Sequence, residues 1–229
     1  MTTDAPLNLI LFDCDGTLVD SQDILVAAMS GAFRDHGIAP PSRSDILKLV
    51  GLSLPETFVV LSGGDRSFPV EALVEGYKTA FHRLRANQPT EPMYSGMRNV
   101  VADLRAHPET LLGIVTGKSQ RGVRLMLEAH DMMGWFSTIQ TADDAPSKPH
   151  PGMVHQAMTT LGAQPGGTVV IGDTTYDMEM AKAAGAWAIG VTWGYHPHTD
   201  LSRAGADIIV GAPEDLREVA LDLLSRNAR

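Results

Sequence analysis

A chain of 229 residues, 44% apolar and 20% charged, has enough hydrophobic material for an ordinary α/β domain carrying a smaller second one, and no apolar run reaches the roughly 18 residues a membrane helix needs. A formal net charge of -9 without any cluster of Lys or Arg argues against a nucleic-acid partner, since a polyanion is held by concentrated positive charge. The single cysteine, Cys14, excludes an internal disulfide and a thiolate zinc site, and residues 1–6 lack the basic and apolar regions of a secretory leader, so the expected compartment is the cytoplasm.

Residues 9–12 form a short apolar run, the pattern of a buried strand, and the run stops at Asp13 and Asp15. In an extended backbone alternate side chains share a face, so both carboxylates can enter one cleft, with Gly16 allowing a sharp turn behind them. A surface turn uses the same residue types. Cys14, between the two acids, reads as a small apolar filler. Residues 21–36 place Ile24, Leu25, Ala28, Met29, Ala32 and Phe33 at helical spacing, with Ser21 as the N-cap and Gly37 as the stop. Short helices are predicted over 44–50 and 55–61 and a longer one over 69–87. Residues 21–90 therefore read as helical throughout. Their acids and bases balance, so the whole negative excess lies outside them.

From Gly96 onward strands and helices alternate. Helices are predicted over 97–106, 119–130, 151–161, 174–184 and 213–225, and strands over 111–115, 137–141, 168–171, 187–191 and 208–210. That alternation predicts an α/β fold, a Rossmann-like parallel sheet with helices on both faces. The core would comprise 1–20 and 91–229, interrupted by an all-helical domain at 21–90. Ligands of such sheets bind at the carboxyl ends of the strands, and the helical insertion leaves just after the first strand, where it can act as a lid.

Three further strand ends carry chemistry. Thr116-Gly117-Lys118-Ser119 offers a hydroxyl and backbone N–H groups to an anion, or is simply a turn with Ser119 as cap. Lys148 stands between Ser147 and Pro149 ahead of a helix, either in a site or as solvated surface. Gly172-Asp173-Thr174-Thr175-Tyr176-Asp177 ends an apolar strand in one acid with another a helical turn later, which suits a cation or an N-cap. Taken together, Asp13, Asp173 and Asp177 form an all-oxygen set fitted to Mg²⁺ rather than Zn²⁺. A phosphate dianion could approach them only with a divalent cation and Lys148 in attendance.

Asp13-Cys14-Asp15-Gly16-Thr17, Val115-Thr116-Gly117-Lys118, Lys148-Pro149 and Gly172-Asp173 with Asp177, in that order, resemble the haloacid dehalogenase superfamily of phosphatases over nearly the whole chain. The helical insertion is similar to that of the subgroup with phosphoglycolate phosphatase and β-phosphoglucomutase. The resemblance implies that Asp13 is the nucleophile, forming an aspartyl-phosphate, and that Asp15 protonates the leaving oxygen and then activates water. It implies Mg²⁺ held by Asp13, Asp173 and the backbone carbonyl of Asp15, with Asp177 acting directly or through water. Thr116 and the Gly117 N–H would bind phosphoryl oxygens, and Lys148 would bridge nucleophile and phosphate. Gly117 stands where the family often has Asn, which leaves the role of Lys118 open.

The implied activity is hydrolysis of a small phosphorylated metabolite, phosphoglycolate-like, by a monomer or homodimer with no nucleic-acid or membrane partner. A phosphosugar mutase shares the same catalytic residues. A phospho-accepting receiver is the alternative from another class. Gly51, in the loop of residues 51–54, resembles the part of relatives that descends on the substrate, with Lys48 or Arg43 nearby to meet a second anion or to sit as surface charges. His196 and His198 read as a solvated loop, and Trp187 and Trp193 as packing residues.

Overall fold

The computed structural model describes residues 7–87 and 90–226, so the expectation of no leader at 1–6 lies outside the described residues. Strand β1 (Asn8–Phe12) is followed by four helices, α1 (Gln22–Asp35), α2 (Arg43–Leu47), α3 (Leu54–Leu61) and α4 (Val70–Asn87), before any further strand. Then come α5 (Met97–Arg105), β2 (Thr110–Thr116), α6 (Gln120–Ala129), β3 (Thr138–Thr141), α7 (Gly152–Leu161), β4 (Thr168–Gly172), α8 (Thr175–Ala183), β5 (Trp187–Val191), α9 (His198–Arg203), β6 (Ile208–Val210) and α10 (Leu216–Ser225).

The six strands make one sheet in the order β3-β2-β1-β4-β5-β6, and every neighbouring pair is parallel. Right-handed crossovers put helices on both faces, so central strands are apolar on both sides. Along β1, Ile10 and Phe12 pack with Val101 and Leu104 of α5, Met126 of α6 and Leu223 of α10. The alternate residues Leu9 and Leu11 pack with Val154 of α7, Met178 of α8 and Leu201 of α9. Each such buried side chain contributes roughly 1.5–3 kcal/mol. The strand order reverses around β1, and the crevice at the carboxyl ends of β1, β2 and β4 lies at that reversal.

Helices α1 to α4 enclose a core of their own, built from Met29, Ala32, Phe33, Ile46, Phe58 and Leu73, in which the rings of Phe33 and Phe58 stack at 5.9 Å. Entry to this segment and exit from it run side by side. Val19 and Met93 form an antiparallel bridge, Asp20 N donates to Pro92 O at 2.8 Å, and Tyr94 N donates to Leu18 O at 3.1 Å.

Three expectations change in detail. The second helix runs Arg43–Leu47 in place of 44–50, and Ser42 caps its start by accepting from Asp45 N. The closing helix begins as a 3-10 turn, Pro213–Asp215, before α10. His198 opens the short helix α9 instead of lying in a loop, and Leu201 anchors that helix in the core. Trp187 and Trp193 are packing residues as expected, and each indole also donates a hydrogen bond, to Gly166 O and Thr17 O respectively.

Candidate active site

Parallel strands of similar length end level with one another, and here three ends deliver acids and a hydroxyl to one floor. β1 runs into Asp13, β4 into Asp173, and the first turn of α8 contributes Asp177. One ligand oxygen from each lies within 4.8 Å of the others, and all three residues are buried. Gly16 makes the approach possible. Its φ is +88°, and a Cβ there would stand 2.2 Å from Asp173 Oδ2.

Each carboxylate is held differently. Asp13 Oδ1 accepts from the Cys14 N–H at 2.7 Å, whereas Asp13 Oδ2 is buried and accepts no hydrogen bond. Lys148 Nζ lies 3.0 Å from that oxygen, so their attraction is coulombic. Asp173 accepts from Thr17 Oγ1 and from Tyr195 N, both at 2.8 Å. Asp177 closes a capping box at the start of α8: Oδ2 accepts from Thr174 N and Oγ1, and Oδ1 takes Lys148 Nζ. The two uses foreseen for Asp177, capping and facing the cluster, are one arrangement. With both oxygens engaged, it orients the lysine and the helix end more readily than it offers a free ligand atom.

Three buried carboxylates against one buried lysine leave a surplus of negative charge. Burial, followed by repulsion from Asp177 and Asp13, pushes the Asp173 carboxyl well above its ordinary range. Burial raises Asp13 to about 6, although Lys148 opposes the shift. A hard divalent cation fits this donor set, because three buried carboxylates with oxygens in reach of one another share a single buried ammonium and leave negative charge uncompensated. The thiol of Cys14 is fully buried, and burial together with Asp13 and Asp15 pushes its pKa far up, which leaves it inert.

On the opposite wall Thr116 ends β2, buried, and its hydroxyl favours the ionised form of Asp13. Lys118, left without a role by the sequence, places Nζ 2.8 Å from Asp15 Oδ1 and 3.9 Å from Glu91 Oε1. Arg85 of α4 reaches the same Glu91 oxygen at 3.2 Å. Cation and anion thus alternate from α4 to Asp15 through four side chains, of which Glu91 carries no motif in the sequence and is identified only by its burial.

The loop between α2 and α3 rests on this floor. A Cβ on Gly117 would stand 2.6 Å from Gly51 O and 2.7 Å from Leu52 O, so backbone meets backbone there. Ser53 N donates to Ser147 Oγ at 2.7 Å. Lys48 O receives the Tyr176 hydroxyl at 3.2 Å and faces His196 Nε2 at 3.1 Å, while His196 Nδ1 accepts from Thr175 N. His196 is therefore half-buried and keys the loop to α8. Burial holds its pKa below the ordinary imidazole value, which keeps the neutral ring this pairing requires. The ammonium of Lys48 is exposed and Arg43 pairs with Asp23, so neither lines the cavity. We expect Gly117→Ala to push the loop off the floor, lowering kcat/KM at least tenfold with a melting temperature shift of only a few degrees, measured by steady-state kinetics and calorimetry.

Between floor and helices lies a cavity of about 580 Å³ that includes Asp13, Asp15, Thr116, Gly117, Lys118 and Gly51 in its lining. Lys148, Asp173 and Asp177 sit behind Asp13.

Known proteins give a consistent comparison. A family model described as haloacid dehalogenase-like hydrolase matches residues 10–191. A probable phosphatase, IndB, of Dickeya dadantii is 36% identical over 208 residues, covering 88% of both chains. A phosphoglycolate phosphatase of Synechococcus elongatus is 28% identical over 95% of this chain and 99% of its own. A hydrolase of Pseudomonas syringae superposes with a TM-score of 0.82 at 28% identity, over 94% of this chain and 98% of that one. No helix among the described residues is long and apolar enough to cross a membrane.

Proposed function

The chain belongs to the haloacid dehalogenase-like hydrolases as a phosphatase, and from that premise we propose that it hydrolyses a small phosphomonoester by way of an aspartyl-phosphate on Asp13. The observation that carries this reading is Asp13 Oδ2, a buried carboxylate oxygen without a hydrogen-bond donor of its own, 3.0 Å from the Lys148 ammonium, on a residue that lines the cavity. Such an oxygen is poised to attack phosphorus.

In the first half-reaction the Asp13 Oδ2–P bond forms as the bond from phosphorus to the leaving oxygen breaks, and Asp15 gives that oxygen a proton. In the second, Asp15 takes a proton from water as the water oxygen attacks phosphorus, which releases phosphate and restores the Asp13 carboxylate. The Thr116 hydroxyl and the Gly117 N–H bind the equatorial oxygens. Lys148, oriented by Asp177, offsets charge between Asp13 and the phosphoryl group. Lys118 fixes the direction in which the Asp15 carboxyl points. Mg²⁺, bound by Asp13, Asp173 and the Asp15 carbonyl, would supply the remaining countercharge for the phosphoryl oxygens.

Helices α1 to α4, with residues 21–90 as their span, act in this reading as a lid whose loop at Gly51 closes the site. A mutase would need a second phosphate subsite on the lid. The cations nearest the loop, Arg43 and Lys48, do not line the cavity, and of the α4 residues that do, Arg85 is engaged by Glu91 and Lys78 by Glu75, which favours simple hydrolysis.

The test is turnover of an aryl phosphate after exhaustive chelation. We expect at least a 10²-fold loss with EDTA and full recovery on adding Mg²⁺. Undiminished activity in the chelator would remove the metal from the mechanism.

A further inference from the structure

We propose that the leaving alcohol of this phosphatase carries an apolar or aromatic body, at least six carbons long, in place of the second anionic group that phosphoglycolate bears. The inference rests on the phosphatase reading above and concerns the part of the substrate that the reaction discards.

Two independent features of the cavity point this way. The first is its upper wall. Met29 of α1, Leu49 ahead of the docking loop, Leu54 of α3, and Val74, Tyr77 and Phe81 of α4 all line the space above Asp13 and Asp15. Leu54, Val74 and Tyr77 pack partly on the helical core, and they, Leu49 and Phe81 are only partly buried, so each keeps apolar surface where it lines the cavity. Their placement follows from the helices. Residues 74, 77 and 81 are three and four apart and share one face of α4, and that face is turned to the sheet edge. A helix face exposed to a cavity of about 580 Å³ on a small-molecule enzyme is a recognition surface for apolar groups.

The second feature is the state of the deep cations. A carboxylate two bonds from the ester oxygen would have to lie close to Asp15. The ammonium at that depth, Lys118, is matched by Asp15 at 2.8 Å and by Glu91 at 3.9 Å. Glu91 is in turn matched by Arg85. With Asp15 ionised these four side chains sum to zero charge; with Asp15 carrying the proton it donates in the first step they sum to +1, shared by Lys118 and Arg85 about Glu91, so a second anion would meet one surplus charge already engaged by Glu91 in place of a free cation. The Lys118 ammonium also stands 5.7 Å from the Phe81 ring, which places the aromatic wall directly above the proton donor. The other basic lining residues, Lys78, His82 and Arg121, are solvent-exposed, and Lys78 pairs with Glu75. They suit a rim.

The experiment is a series of primary n-alkyl monophosphates, ethyl, butyl and hexyl, alongside phosphoglycolate, with the Mg²⁺-supplemented enzyme and phosphate release as readout. The alkyl esters have nearly equal leaving-group basicity, so differences among them report binding. Transfer of each methylene from water to the wall should raise kcat/KM about two- to threefold, giving hexyl phosphate at least a tenfold advantage over both ethyl phosphate and phosphoglycolate. Phe81→Ala should compress the hexyl-to-ethyl ratio to below threefold, chiefly through KM. A flat chain-length dependence, or phosphoglycolate outpacing hexyl phosphate, overturns the proposal while leaving phosphatase activity intact. Failure to release phosphate from any ester, aryl phosphate included, overturns the phosphatase reading and this inference with it.

Discussion

Asp13→Asn should abolish turnover and at the same time make the metal-free protein more stable. Loss of the nucleophile leaves no route to the aspartyl-phosphate, so kcat should fall by at least 10⁴-fold, with no phosphorylated protein trapped by rapid acid quench. The stability change has the opposite sign. Asp13 titrates near 6 in the folded chain against an ordinary value of 3.8, chiefly because burial penalises its charge. A carboxyl raised in this way stabilises the fold fully below pH 4, where it is protonated, and that contribution is lost as pH rises through 6. Removing the charge at pH 7.5 should therefore stabilise the EDTA-treated protein by about 1–3 kcal/mol, read from urea unfolding midpoints. Added Mg²⁺ should stabilise wild type and not the variant. A variant that is both inactive and less stable without metal would mean that Asp13 is structural.

Lys148→Ala tests the other side of the same balance. The lysine is buried to 1% exposure among Asp13 and Asp177, and those carboxylates hold its pKa above the ordinary value despite burial. Truncation leaves two buried carboxylates without their cation, a change that costs about 3–5 kcal/mol where it has been measured in other buried pairs. The rate should drop on the order of 10²-fold or more, since the same ammonium offsets charge developing between nucleophile and phosphoryl group. The two effects separate on adding Mg²⁺, which should restore part of the stability and little of the rate. Equal unfolding midpoints for variant and wild type in EDTA would contradict the charge balance proposed here.

The strands and long helices were legible because their signals are local. β1 is an uninterrupted apolar run, and α1 repeats its core residues every three or four positions. The carboxylate cluster was legible for a related reason: Asp13 and Asp173 each follow an apolar strand, parallel strands must end together, and Asp177 lies one helical turn beyond Asp173. What escaped was either short or long-range. α9 has six residues and one buried side chain, too few to show a period. His196 looked solvated because nothing near it in sequence reveals that Thr175 and Lys48 will meet its two ring nitrogens. Lys118 and Asp15 are 103 residues apart, and Glu91 joins them only because the chain returns from α4 at that point. Gly51 was foreseen as a contact to phosphate. Its geometry shows a buried backbone with φ near +104° seated against Gly117, and whether it touches substrate is part of the lid proposal.

The bridge between Val19 and Met93 has a consequence for how such a molecule can change. Because the two connectors touch, the ends of the helical segment are already closed on one another, and the loop entropy of joining them directly would be small. The segment is joined to the sheet covalently through one two-stranded stalk, and the loop at Gly51 rests on the floor, while a core of its own keeps it folded. On the proposed reading, mutation of the walls that face the leaving alcohol would leave the order and register of the strands that hold the acids unchanged. On that reading, chemistry and choice of substrate would sit on separately editable parts of one chain. A graft of a foreign helical segment between residues 19 and 93 should keep aryl phosphate hydrolysis while exchanging the preference for everything else.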